Sequence, residues 1–70
     1  MDMLEALIKQ YEGEIAVAKA TVRIYINNSV GIGEHPQHAE EIDNLLTKIA
    51  DCQDKIEAAE AMLDSNPQLL

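Results

Sequence analysis

The single cysteine, Cys52, cannot form an internal disulfide, so a small secreted fold stapled by disulfides is excluded. No Cys/His cluster has the spacing of a structural zinc site. The chain has neither tryptophan nor phenylalanine, and its only aromatic rings besides histidine are Tyr11 and Tyr25. Basic residues are few: five, against 13 acidic ones, for a formal charge of −8. Gripping nucleic acid requires Lys and Arg to neutralise phosphates, so this balance argues against direct nucleic-acid binding, and against anionic membrane surfaces for the same reason. No run approaches the roughly 20 apolar residues of a membrane span, and the N-terminus lacks the basic and apolar regions of a signal peptide. The expected setting is therefore cytoplasmic and reduced. At 70 residues a monomeric core is marginal, which leaves helix packing and self-association as sources of stability.

Glycine and proline are sparse and clustered. Gly31, Gly33 and Pro36 fall in one central stretch, Asn27 to Pro36, with long segments of helical character on either side. In the first segment, Asp2 followed by Glu5 has the spacing of a capping box. From there Leu4, Ile8, Tyr11, Ile15, Ala18, Val22 and Tyr25 advance by alternating steps of four and three, a 3.5-residue heptad seam. Leu7, Val17, Ile24 and Ile26 lie beside or away from it, making the apolar surface wider than one stripe. Gly13 sits mid-segment, and the run Thr21 to Ile26 alternates and is β-branched, as a strand would be. The seam continues through that run without a slip and no second strand exists to pair with it, so it reads as helix.

The second segment carries the seam Ile42, Leu45, Ile49, Cys52, Ile56, Ala59 and Leu63. One heptad position is uniformly large (Ile42, Ile49, Ile56, Leu63), and the alternate one shrinks from Leu45 through Cys52 to Ala59, letting a neighbouring helix approach closely. Leu46 and Met62 widen this face. Opposite it lie Glu40, Asp43, Asp51, Asp54, Glu57 and Glu60, within reach of Lys48 and Lys55. Cys52, on the seam, reads as a small buried hydrophobe; pairing with a second copy by an intermolecular disulfide is the minor alternative. Asp64 to Pro67 is a stop signal.

The turn offers three further readings. Gly31 and Gly33 lack a third glycine and a preceding strand, so a phosphate loop is not made. His35 and His38 lie three apart beside Glu34 and Glu41, a spacing that leaves a metal site open, against the plainer reading of solvent-facing or capping histidines. Val30 and Ile32 alternate with the glycines, and Pro36 fits the first turn of the next helix.

These elements predict an all-α, antiparallel two-helix hairpin spanning 1–70: helix 3–27, turn 28–35, helix 36–64 and tail 65–70. Each helix would be roughly 38 Å long at about 1.5 Å per residue. Two helices bury one stripe each, so the remaining apolar residues (Leu7, Val17, Ile24, Ile26 and Leu46) stay wet unless two hairpins pair as a four-helix-bundle homodimer. The expected function is a non-enzymatic, self-associating protein–protein interaction module with no cofactor and a protein partner the sequence does not identify. The alternative is an acidic decoy of a basic, nucleic-acid-binding host protein. No nucleophile stands beside a base, and no carboxylate pair is distinguishable from a solvated face.

Asn28-Ser29-Val30-Gly31-Ile32-Gly33-Glu34-His35-Pro36, followed by Glu41-Ile42-Asp43 and Lys48-Ile49-Ala50, resembles short uncharacterised proteins of tailed bacteriophages, marine phages especially. They share a turn of the form Asn-Pro-Val-Gly-Ile-Gly-Glu-His-Pro, and this chain has Ser29 in place of the first proline. The resemblance covers the turn and most of the second segment. It implies a phage or prophage-like origin, hence a host-cell cytoplasmic setting, and a helical hairpin; it implies no activity.

Overall fold

The computed structural model describes residues 2–27 and 37–64, and every described residue but Asp2 is α-helical. The two elements are α1 (Met3–Asn27, 25 residues) and α2 (Gln37–Asp64, 28 residues). The expected turn residues Val30, Gly31, Ile32, Gly33 and Pro36, together with His35 and the tail, lie outside the described residues.

The capping box closes reciprocally at the start of α1. The Glu5 backbone N–H donates to Asp2 Oδ1 at 2.9 Å, and the Asp2 N–H donates to Glu5 Oε1 at 3.0 Å. Two otherwise orphaned donors are thereby satisfied, at a residue pair visible in the sequence. The β-branched run Thr21 to Ile26 is helical up to Asn27. The Thr21 hydroxyl donates to the Val17 carbonyl at 2.8 Å, so this threonine is held to its own helix. Packing along the seam outweighs the modest β preference of these side chains.

The helices run antiparallel. Tyr11 meets Lys55, Glu14 meets Cys52 and Lys48, and Tyr25 meets His38, so residue numbers fall along α2 as they rise along α1. This is the helical hairpin the two heptad seams predict. The described residues form these two helices alone, packed side by side as a single layer.

Candidate interaction surface

Heptad letters sort the seam into two rows. With Ile8, Ile15 and Val22 at a, the d row of α1 is Leu4, Tyr11, Ala18 and Tyr25. In α2 the a row is Ile42, Ile49, Ile56 and Leu63, and the d row is His38, Leu45, Cys52 and Ala59. At about 100° per residue, e positions flank a, and g positions flank d. The hairpin therefore has an a/e side and a d/g side.

Every seam residue is buried or half-buried, but only four qualify as core: Ile8, Ala18, Cys52 and Ala59. Three of those four belong to the d row and are small. Close approach of the helices on the d/g side thus follows from Ala18, Cys52 and Ala59. Leu4, Tyr11, Ile15, Val22, Tyr25, Ile42, Leu45, Ile49, Ile56 and Leu63 are left half-buried.

Polar contacts bridge the two helices on the d/g side. Glu14, at g, receives a hydrogen bond on Oε2 from Gln10 Nε2 at 3.0 Å, while its Oε1 lies 3.5 Å from Lys48 Nζ and accepts from Cys52 Sγ at 3.7 Å. The Gln10 hydrogen bond, opposed by desolvation and joined by Lys48, holds the Glu14 carboxyl below its ordinary value. Desolvation first, then the Glu14 charge, pushes the Cys52 thiol up. Lys55 Nζ stands 5.4 Å from the centre of the Tyr11 ring. Lys48 and Lys55 therefore reach across to α1 rather than pairing with the carboxylates of their own helix, because both occupy g, on the flank facing the neighbour. Their heptad position aims them at that flank, although composition alone suggested pairing within α2; which α1 residue each meets depends on the register between the helices.

The eight carboxylates of α2 are all exposed and none makes an ion pair among the described residues. His38 departs from the expectation of a solvent-facing or capping residue. It is half-buried, edge-on to Tyr25 with ring centroids 4.8 Å apart and planes at 81°, and its Nε2 is shielded without a hydrogen-bond partner among the described residues. Its register places it at d, where α2 meets α1. No group of three or more His, Cys, Asp or Glu side chains converges among the described residues.

Two grooves flank the seam. On the d/g side a notch of about 410 Å³ is lined by Gly13, Glu14, Val17, Ala18, Thr21, Leu45 and Lys48. On the a/e side a groove of about 320 Å³ is lined by Lys19, Val22, Arg23, Ile26, Leu46 and Ile49. Val17, Ile24, Ile26 and Leu46 are 52–68% exposed, as the width of the apolar surface implied. Leu7 differs: it is half-buried, because its g position turns it toward α2. Among the described residues no helix is long and apolar enough to cross a membrane.

No known protein family, curated protein or solved structure matches this chain.

Proposed function

We propose that the chain is a non-enzymatic, self-associating helical interaction module whose working form is a four-helix-bundle homodimer. The carrying observation is the poverty of the core: among the described residues four side chains are buried, two of them alanines, beside a row of large aliphatics that is half-open at every position but Ile8. Beside that row Val17, Ile24, Ile26 and Leu46 stand 52–68% exposed, more contiguous apolar surface than a soluble monomer ordinarily leaves wet. Pairing two hairpins covers the half-open seam with the same type of side chain and needs no further element. A phage-type origin, suggested by the turn, is part of this proposal.

Thermal unfolding followed by circular dichroism tests it. A hairpin stabilised by dimerisation melts at higher temperature as protein concentration rises, by mass action. A melting point independent of concentration over two decades in the micromolar range contradicts the reading.

A second reading, an acidic decoy of a basic host protein, is favoured by one observation. All eight carboxylates of α2 stand exposed while both of its lysines turn toward α1. It predicts binding to a basic protein that weakens steeply between low and physiological salt. Binding that persists at high salt, or that is lost on replacing apolar residues, excludes it.

A further inference from the structure

The self-association proposed above leaves open which side of the hairpin a second copy covers and how that copy is oriented. We infer that it seats on the a/e side, with the two hairpins pointing in opposite directions, so that α1 lies over α1 of the second copy.

The two sides are not equivalent. The d/g side is joined by small side chains and by the contacts of Glu14 with Lys48 and of Tyr11 with Lys55, and its open notch, beside the exposed Val17, is lined by the charged Glu14 and Lys48. The a/e side holds the large β-branched row half-open, continued by Ile26 and Leu46, which are 59% and 52% exposed. A ridge of Ile and Val rimmed by polar e positions is the form of a bundle-facing surface. Five of the eight e positions supply that rim, Glu5, Glu12 and Lys19 on α1 and Gln53 and Glu60 on α2, all exposed; the other three are Ile26, Ala39 and Leu46.

The charge on the rim is polarised along the hairpin. Lys19, with Arg23 beside it, lies toward the end where α1 stops at Asn27; neither makes an ion pair among the described residues. Glu5, Glu12 and Glu60 lie toward the open end at Met3 and Asp64. Lys9 is also toward the open end, but at b, further round the helix, and it is paired with Glu12 at 4.0 Å.

Two symmetric dimers can cover the a/e side. In one, the two-fold axis runs along the helices; α1 then lies over α2 of the second copy with levels preserved, placing Glu5 over Glu60 and Lys19 over Leu46. That arrangement sets like charges together and leaves a cation on an aliphatic side chain. In the other, the axis runs across the helices, near the level of Ile15, and reverses the ends. Lys19 of one copy then falls within about one residue, ~1.5 Å along the axis, of the level of Glu12 of the second copy, and the contact occurs twice. Complementary flanking charges set register and orientation in helical assemblies more than they set raw affinity. The opposed arrangement also brings Glu5 near the level of Ile26, but it alone pairs opposite rim charges and sets no two rim carboxylates together.

Charge exchange tests the orientation and a face comparison tests the side, both by sedimentation equilibrium at low salt. Lys19→Glu and Glu12→Lys should each weaken the dimer by about five- to tenfold, and the double exchange should restore it to within about twofold of wild type. A double variant no tighter than the weaker single one overturns the orientation. Leu46→Glu should give monomer, whereas Val17→Glu, on the opposite side, should leave the dimer intact; the reverse pattern, or loss in both, overturns the choice of side. Both of these results leave self-association standing. A monomeric wild type instead removes self-association, and this arrangement with it.

Discussion

Glu14 and Cys52 meet across the hairpin at 3.7 Å, thiol to carboxylate, and Lys48 Nζ stands 3.5 Å from the same oxygen. One acidic side chain thus ties α1 to α2 through two partners, one of them the buried Cys52. Its consequences are measurable in pH.

Glu14 has a folded-state pKa below its ordinary 4.5, chiefly through the Gln10 hydrogen bond, with Lys48 also contributing. A depressed carboxylate pKa contributes stability above the unfolded value and loses it as pH falls through the folded one. The stability difference between wild type and Glu14→Gln should therefore be full at pH 6–7 and shrink progressively below about pH 4.5. Chemical denaturation at a series of pH values reads this directly; a difference that grows on acidification contradicts it.

The Cys52 thiol moves the other way. Its pKa lies above the ordinary 9.0, because burial and the Glu14 charge disfavour the thiolate. Stability held by the neutral thiol is complete below that ordinary value and is lost as pH rises past it into the folded range. Native protein at pH 8 should react with a thiol reagent far more slowly than denatured protein. Rapid native labelling, or a dimer cross-linked through Cys52, would show that the thiol is not enclosed on the d/g side.

Gly13 is helical, and a Cβ built there meets nothing within 4 Å. Gly13→Ala should raise stability by about 0.5–1 kcal/mol through helix propensity and reduced freedom of the unfolded chain. For a chain this small that is about 3–6 °C in melting temperature. Destabilisation would mean that another surface packs against Gly13, on the side left open when the a/e side is covered.

Ile49→Asp places an unpaired charge in the a row. The expected cost is about 2–4 kcal/mol, with helicity and assembly lost together by circular dichroism and light scattering. An unchanged dimer would place Ile49 outside the interface.

The helices were legible because two independent local signals agreed: the Asp2–Glu5 capping box and seams stepping by three and four from Leu4 to Tyr25 and from Ile42 to Leu63. The strand-like run Thr21 to Ile26 was readable as helix only because the seam passed through it. The cross-helix contacts were less legible. That Lys48 reaches Glu14, or that His38 lies edge-on to Tyr25, depends on the relative register of two helices, and neither helix encodes that register alone. The two-sided character of the surface emerged once the small d row and the large a row could be placed against each other.

The most direct measurement is the mass of the wild-type protein in solution by sedimentation equilibrium, at micromolar concentration and near-neutral pH. A homodimer gives twice the 7.7 kDa of the chain, with helical circular dichroism. A well-folded, fully helical species at the mass of one chain would contradict the half-open Ile and Val row as a dimer interface.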